Sequence, residues 1–152
     1  MNLATAETIA RKEMDSHNLH AWDFKFDEAK RRYGLTTYST MTISMSRHLT
    51  QLNDERQFRD TLLHEIAHAL VGSGNGHNRK WQYQARQIGC TGYRTYGSEV
   101  TKPKAKWRAT CPHCKKVTQR FRKTKDVACG QCCNKYNGGY WSSKFLLDYK
   151  HL

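Results

Sequence analysis

Three histidines and one glutamate stand close together in the segment HEIAHALVGSGNGH, residues 64–77. His64 and His68 are four residues apart, so on a helix their side chains lie one turn apart on the same face. Two imidazoles in this arrangement can bind one zinc ion, and Glu65 beside them can hold a water molecule at the metal. A catalytic zinc ion usually has three protein ligands. His77 is the natural third, because the glycine-rich loop before it can turn the chain back toward the helix.

These residue types predict hydrolysis of an amide bond. Zinc activates water at neutral pH, and Glu65 would take a proton as general base and later deliver it to the leaving amine. The alternative is an ordinary polar stretch of helix, with Glu65 paired to Arg59 or to solvent. That alternative does not explain polar groups on an otherwise apolar face, where burial without a partner is costly. We therefore predict one catalytic zinc ion. Its expected ligands are His64, His68 and His77, with His48, Asp60 or a tyrosine left open as alternatives to His77.

Two cysteine pairs farther along the chain have the spacing of a structural zinc site. Cys111 and Cys114 form the first pair, and Cys129 with Cys132 or Cys133 forms the second, with fourteen residues between the pairs. Four thiolates from two such turns fit a closed tetrahedral zinc site. Cys132 is favoured over Cys133 because it repeats the two-residue gap. A module of about thirty residues has too small an apolar core to fold alone, so zinc is expected to supply most of its folding energy.

Positive charge is concentrated in the C-terminal third of the chain. Residues 1–100 contain 13 Lys and Arg against 11 Asp and Glu, whereas residues 101–152 contain 13 against two. This asymmetry indicates a polyanionic partner, most often nucleic acid, and the alternative is a solvated basic segment. Single-stranded or partly unpaired DNA is the preferred partner, because aromatic residues on which bases can stack stand among the cations. The predicted DNA contacts are Trp107, Arg108, Lys115, Lys116, Arg120, Phe121, Arg122, Lys123 and Lys125. For Trp107 and Phe121, packing inside the small module is the alternative.

Hydrophobic periodicity predicts two strands and three helices that would position the first group of residues. WDFKFD, residues 22–27, predicts a half-buried strand, and residues 37–45 predict a second strand paired with it, with residues 29–34 as the turn. In the second strand Met41, Ile43 and Met45 would share one face. The helices are expected at about 4–16, at 53–72 with a buried stripe of Phe58, Leu62, Ile66 and Leu70, and at about 78–88.

The remainder of the chain has weaker signals. Residues 91–106 are expected to be a linker. The lysine-rich segment between the cysteine pairs, residues 115–128, is expected to form a pair of strands. Residues 140–149 are expected to form a last strand or a short hairpin.

The motifs resemble a known family. TLLHEIAHAL, residues 61–70, followed by GNGHNRKWQYQARQIG, residues 74–89, is similar to the SprT-like metalloproteases, which include the Spartan-like DNA–protein crosslink proteases. The similarity extends upstream through residues 22–49 and covers roughly residues 5–136. One departure is a short loop between His68 and His77, with Asn78 where a glycine often follows the histidine. The resemblance implies a zincin-type domain, a downstream zinc ribbon, and substrates that are proteins bound or crosslinked to DNA.

Together these features predict an α+β protein with a zincin-like metalloprotease domain at residues 1–100 and a basic zinc ribbon at residues 101–152. The expected activity is a DNA-directed zinc endopeptidase with one catalytic and one structural zinc ion. A non-catalytic nucleic-acid-binding zinc protein is the alternative. A deformylase or amidase is disfavoured, because that class commonly has a cysteine ligand upstream of the helix and no cysteine precedes Cys90. The chain has no long apolar stretch or signal peptide, so an intracellular, cytoplasmic monomer of bacterial or viral origin is expected.

Overall fold

The computed structural model describes residues 1–152, which separate into two compact units, Met1–Pro103 and Lys104–Leu152. The elements of the first unit are α1 (Leu3–Ser16), β1 (Asp23–Asp27), β2 (Gly34–Thr37), β3 (Thr42–Ser46), α2 (Arg47–Leu52), α3 (Glu55–Val71) and α4 (Arg79–Gln87). Those of the second unit are β4 (Trp107–Thr110), β5 (Val117–Arg120), α5 (Gly130–Tyr136), a short 3-10 helix (Ser143–Phe145) and β6 (Asp148–His151). Helices and two separate sheets confirm the α+β class. None of the helices combines the length and apolar character needed to cross a bilayer.

The sheet of the first unit has the order β1-β3-β2, in which β3 is parallel to β1 and antiparallel to β2. The predicted single strand over residues 37–45 is therefore wrong, because a turn at residues 38–41 separates β2 from β3. Met41 in this turn has a φ of 48° and is 41% exposed, so it does not share a buried face with Ile43 and Met45. All five residues of β3 are buried because β3 is the central strand.

Residues 28–33 connect β1 to β2 on the far side of β3, rather than forming a hairpin turn between neighbouring strands. This order depends on pairing between residues distant in sequence, which local periodicity does not encode. Its consequence for the site is that β2 lies at one edge of the sheet and contacts α3.

Helix α3 begins and ends where its sequence predicts. Asp54 accepts a hydrogen bond from the Gln57 backbone N–H, and the Gln57 side chain accepts one from the Asp54 N–H, which forms a capping box. Gly72 ends the helix with a φ of 84°. Leu70 is an exception to the predicted stripe because its side chain is 37% exposed. The short α2, capped by Ser46, was not predicted, since six residues are too few to show a helical period.

Helices α1 and α3 form one hydrophobic core with the buried strand β3. The fully buried side chains that these three elements contribute are Ala6, Ala10, Met14, Ile43, Met45, Phe58, Leu62 and Ile66. Packing of Phe58, Leu62 and Ile66 in this core holds α3 in one orientation. His64 and His68 lie on the same helix and are half-buried.

The second unit has a sheet in the order β5-β4-β6, with both pairings antiparallel. The predicted strand pair between the two cysteine pairs is wrong. Only β5 forms there, and its partner β4 precedes Cys111. The final segment forms the 3-10 helix and then β6. Helix α5, which starts directly after Cys129, was not predicted because its seven residues are too short for a period and include no apolar residue except two cysteines and Tyr136.

Candidate active site and metal centres

The structure brings His64, His68 and His77 together at one point. The distances between their Nε2 atoms are 3.3 Å for His64 and His68, 3.2 Å for His68 and His77, and 2.9 Å for His64 and His77. Two nitrogen ligands about 2.0–2.1 Å from a tetrahedral zinc ion lie about 3.3 Å apart. The triangle is therefore close to the size that three imidazoles bound to one zinc ion require.

Hydrogen bonds alone do not account for this triangle. The Nε2 atom of a neutral imidazole carries either one hydrogen or one lone pair, so three such atoms cannot satisfy three mutual contacts. Burial, together with the neighbouring imidazoles, lowers the pKa of both His64 and His68 to about 4, and burial also lowers the pKa of His77. All three rings are thus neutral at pH 7, the form that binds a metal.

Two elements and one loop create this convergence. Helix α3 places His64 and His68 one turn apart, and residues 72–78 then reverse the chain. In that loop Gly72, Gly74 and Gly76 all have positive φ, a conformation that favours glycine. The Asn75 side chain donates to the carbonyls of Val71 and Gly72, which ties the loop to the end of α3. His77 follows at the start of α4, whose first turn Asn78 caps.

Trp81 forms the floor of the histidine triangle. Its ring centroid lies 4.5 Å from that of His64, 5.2 Å from His68 and 4.6 Å from His77, and the side chain is fully buried. One rigid aromatic surface therefore limits the rotation of all three imidazoles. In the sequence Trp81 lies within the helix predicted at about 78–88, and no pattern there indicates its contact with the histidines.

The alternatives to His77 as third ligand are held by other partners. His48 forms an ion pair with Glu28, with 3.0 Å between Nε2 and Oε2. Asp60 accepts hydrogen bonds from the backbone N–H and the hydroxyl of Thr91. Neither belongs to the group of atoms that could bind a metal with His64 and His68.

Glu65 is held beside the triangle by β2. The Thr36 hydroxyl lies 2.7 Å from Oε2 of Glu65 and 2.9 Å from its backbone carbonyl, so it can donate to the carboxylate. Burial raises the pKa of Glu65 to about 7, against the opposing effect of the Thr36 hydroxyl and the Arg32 charge. A carboxyl group with a pKa near neutrality can both accept and return a proton, and a cation bound nearby would favour its ionised form.

Gly34 allows Glu65 to approach β2 closely. A Cβ atom at position 34 would lie 2.7 Å from Cγ and 2.8 Å from Oε1 of Glu65, closer than atoms can pack. Only glycine leaves this space, so residue 34 fixes where the carboxylate sits. The sequence signal was Gly34 itself, which lies in the segment predicted to be a turn.

We expect the substitution Gly34→Ala to displace Glu65 and to lower peptidase activity by about 10²-fold, because a shift of about 1 Å in a catalytic group has an effect of this size. The fold should persist, since the displaced atoms belong to one side chain. Steady-state kinetics and thermal unfolding of the variant would measure both effects. Thr37→Ala, on the same strand but outside the cleft, is the matched control, and equal activities of the two variants would contradict this role for Gly34.

A cleft of about 710 Å³ opens over these residues. One wall is β2, where Gly34, Leu35 and Thr36 line the space. The other wall comes from residues 93–96 and Lys102, within the segment predicted to be a linker. The predicted linker has no regular secondary structure, but these five residues of it line the cleft.

Long-range hydrogen bonds hold this second wall in place. Thr91 bonds to Asp60, the Tyr96 hydroxyl donates to the Arg31 carbonyl, and the backbone of Thr101 pairs with the Asn53 side chain. The backbone of Tyr93 forms a hydrogen bond with the His64 ring, and this bond favours the protonated form of His64. Bonds of this kind to the outer nitrogen of a metal-binding imidazole orient the ring.

The second metal centre lies in the Lys104–Leu152 unit. The sulfur atoms of Cys111, Cys114, Cys129 and Cys132 all lie within 4.8 Å of one another. The distance between Cys111 and Cys132 is 3.8 Å, as is that between Cys114 and Cys129. Sulfur ligands about 2.3 Å from a tetrahedral zinc ion lie about 3.8 Å apart, so the four thiols fit such an ion.

Backbone groups support this sulfur cluster. Burial opposes ionisation of Cys111, but the N–H groups of Cys114 and His113 donate to its sulfur and bring its pKa down to about 7. Cys133 is buried nearby and is not a member of the cluster. His113 lies close to the sulfur cluster, with its Nδ1 atom 3.6 Å from the Cys132 sulfur.

A model of the SprT-like family matches residues 4–126. The chain belongs to the SprT-like family. Among solved structures, the metallopeptidase zymogen jannalysin of Methanocaldococcus jannaschii is similar at 18% identity, with a TM-score of 0.48, over 62% of this chain and 85% of that chain. No curated protein matches the chain. Membership of the SprT-like family supports a metalloprotease.

The SprT-like match includes the three histidines, Glu65 and the first cysteine pair, and it ends before Cys129. The residues predicted to contact DNA differ in their surroundings. Arg108, Lys116, Arg122, Lys123 and Lys125 are exposed, whereas Arg120 and Phe121 are partly buried. Lys115 donates to the Pro112 carbonyl, and Trp107 packs edge-on against His151. The Lys123 ammonium lies 5.9 Å from the centre of the Trp107 ring, so one of the exposed cations also covers this aromatic residue.

Proposed function

We propose that the chain is a zinc-dependent endopeptidase directed to DNA, where it cleaves proteins that are bound or crosslinked to the DNA. The observation that carries the proposal is Glu65, a buried carboxyl group held beside three convergent histidines. A metal site with a purely structural role has no use for a base at its side. The cleft over these residues is open on the protein surface and large enough for a peptide segment.

Each residue of the site would have a separate role in the reaction. His64, His68 and His77 would hold the zinc ion, which when bound supplies a Lewis acid for water and for the scissile carbonyl. Glu65 would accept a proton from the attacking water through its carboxylate and then donate that proton to the leaving amine. Thr36 orients the carboxylate through its hydroxyl, and Trp81 keeps the imidazoles in position.

Strand β2 offers a place for the substrate backbone. It is an edge strand, and three of its residues line the cleft next to Glu65. An extended peptide can bind such an edge through main-chain hydrogen bonds, which do not depend on side-chain identity. This mode would suit an enzyme that cuts many different proteins. It would also require another means of choosing the substrate.

In this proposal the basic second unit selects the substrate. Its excess of Lys and Arg would bind the phosphates of DNA and bring the cleft near proteins on the same DNA. Tethering raises the effective concentration of substrate, which can increase apparent affinity by about 10²–10⁴ without any new contact at the cleft. A non-catalytic nucleic-acid-binding protein remains the second candidate, favoured by the charge asymmetry alone.

We expect the zinc-loaded chain to cleave a basic DNA-binding protein when single-stranded DNA is present and to leave it largely uncut without DNA. The measurement is the rate of substrate loss on gels, with an unfolded protein that does not bind DNA as the control substrate. Equal cleavage of both substrates in the presence of DNA would show that DNA does not act by recruitment. DNA binding without any cleavage would favour the non-catalytic candidate.

A further inference from the structure

The cleft over Glu65 is lined by more positive than negative side chains. Its acidic residues are Asp60 and Glu65. Its basic residues, apart from the three histidines, are Arg31, Arg32, Arg94 and Lys102. Residues 1–100 carry 13 Lys and Arg against 11 Asp and Glu, so the excess at the cleft does not follow from the composition of this part of the chain.

Both acidic side chains of the cleft are bound to groups of the protein. Asp60 accepts hydrogen bonds from the backbone N–H and the hydroxyl of Thr91, at 2.8 and 3.0 Å. Glu65 accepts one from the Thr36 hydroxyl at 2.7 Å. These contacts hold the two carboxylates against the walls, so the basic side chains determine which charges a substrate meets on entering the cleft.

Three of the four basic residues surround Tyr96. The Tyr96 hydroxyl donates to the Arg31 carbonyl, and its ring centroid lies 6.1 Å from that of Tyr33, the residue after Arg32. The Lys102 ammonium lies 5.2 Å from the centre of the Tyr96 ring. Tyr96 thus joins the segment before β2 to the opposite wall. We call Arg31, Arg32 and Lys102 the cationic end of the cleft.

The cationic end adjoins the catalytic carboxyl group. Arg32 is held by Asp27, with 3.0 Å between Nη2 and Oδ2. Burial raises the pKa of Glu65, and the Arg32 charge acts against that effect, so this charge reaches the site. Arg32 precedes Gly34 by two residues, about 7 Å along an extended chain. A peptide extended along β2 with its scissile bond at Glu65 would place a residue about two or three positions from that bond at the cationic end.

The fourth basic residue, Arg94, stands on the other wall near the metal centre. Burial and the Arg94 charge together lower the pKa of His77, so the guanidinium acts on the histidine triangle. Positive charges on both walls of a cleft reinforce one another, because the protein walls concentrate the field. Such a field attracts carboxylates and repels ammonium and guanidinium groups. The charge of the cleft therefore favours one class of peptide over another.

We propose that the cationic end is a subsite for an acidic side chain of the substrate, with Arg32 and Lys102 as the residues that bind it. This inference rests on the proposed peptidase function and names the peptide segments that the peptidase would favour. Segments rich in Lys and Arg, through which proteins contact DNA phosphates, would be poor substrates. The enzyme would therefore cut a DNA-bound protein in its acidic segments rather than at its DNA-binding surface.

The test uses the full zinc-loaded chain without DNA. Cuts in an unfolded protein are mapped by mass spectrometry, and Asp and Glu should be enriched within about three residues of the cut. One such site is then made as peptides with glutamate, glutamine or lysine at the enriched position. Both termini of each peptide are blocked, so that only a side-chain carboxylate can respond.

The glutamate peptide is expected to be the best substrate. A hydrogen bond to a charged group contributes about tenfold, so kcat/KM should fall about tenfold for the glutamine peptide. It should fall further for the lysine peptide, which the cationic end repels. Added salt should reduce both differences, because it screens the charges of an open cleft.

Reversal of one charge provides the matched comparison. In Lys102→Glu the preference should shift from the glutamate peptide toward the lysine peptide, because the cationic end then carries a negative charge. Lys25→Glu makes the same change at an exposed position of β1, at the opposite edge of the sheet from β2. This control should cleave the peptides as the wild type does.

The outcomes separate this proposal from the proposed function. Equal cleavage of the peptides by the wild type, or cuts without acidic enrichment, would overturn the subsite and leave the peptidase function standing. An unchanged preference in Lys102→Glu would also overturn the subsite, because the preference would then arise elsewhere. Equal cleavage of the peptides, with competitive inhibition by a short DNA strand that Lys102→Glu relieves, would assign the cations to phosphate instead. No cleavage of any peptide or of the unfolded protein would overturn both proposals.

Discussion

Replacing Glu65 by glutamine is expected to remove peptidase activity while the chain keeps the zinc ion at its three histidines. Glutamine has nearly the same shape, and its side-chain oxygen can still accept the hydrogen bond from Thr36. It cannot take a proton from water. Loss of a general base lowers the rate by about 10²–10⁴, so kcat should fall by this factor with little change in KM.

Two measurements separate the chemical role of Glu65 from a structural one. Metal analysis of the Glu65→Gln variant should show the same zinc content as the wild type, and its thermal unfolding should not shift to lower temperature. Retained activity would eliminate Glu65 as the base. Loss of zinc together with activity would mean that the carboxyl group helps to build the site rather than to carry the proton.

Thr36→Val is the control that keeps the carboxyl group but changes its surroundings. The Thr36 hydroxyl lowers the pKa of Glu65, so its removal should raise that pKa. A base with a higher pKa loses its ionised form at a higher pH. The acid limb of the pH–rate profile should therefore move toward higher pH, with a smaller loss of activity at alkaline pH than in the Glu65→Gln variant.

The parts of the site that the sequence predicted are those set by local spacing. The four-residue gap between His64 and His68, the cap at Asp54 and the glycines before His77 each act within a few residues. The structure gives a geometric reason for choosing His77 as the third ligand, because the loop at residues 72–78 and the Asn78 cap orient His77 toward α3. The ligand roles themselves stay predictions until metal is measured.

The parts that the sequence missed depend on contacts between distant residues. Thr36 reaches Glu65 across 29 positions, and the Tyr96 hydroxyl reaches Arg31 across 65. The contact of Thr36 requires β2 to lie beside α3, and that of Tyr96 requires the chain after α4 to return to the β1–β2 connection, which periodicity does not encode. Residues 91–106 have no repeating pattern because a cleft wall held by single hydrogen bonds needs none. A stretch without periodicity is therefore weak evidence for a linker when it follows directly after a metal-binding motif.

Replacing Cys111 and Cys114 by serine is expected to unfold the second unit and to leave the first intact. The buried cluster of this unit consists of Cys111, Cys129, Cys132, Cys133 and Phe145, with only Ala128 and Leu147 packed against it. So small an apolar core cannot stabilise the fold without a metal, and a structural zinc ion contributes about 10–16 kcal/mol in modules of this size. Removing two thiolates should therefore unfold the second unit completely rather than lower its stability slightly.

Metal content and two activities measure this outcome. The wild type should contain two zinc ions per chain and the Cys111→Ser, Cys114→Ser variant one. The variant should lose its affinity for DNA, because the cations are no longer presented on a folded surface. It should still cleave an unfolded protein at the rate seen for the wild type without DNA. This pattern would separate recruitment from catalysis within one chain.

Cys133→Ser is the matched control for this substitution. Cys133 is as buried as its neighbours but does not belong to the four-sulfur cluster, so its replacement should keep both zinc ions and most of the DNA affinity. Loss of one ion in this control would make Cys133 a ligand in place of Cys132. Loss of both ions in the double serine variant would show that the histidine site depends on the second unit. The histidine triangle contains no residue beyond His77, and its supports end at Thr101, so we expect the catalytic zinc ion to survive.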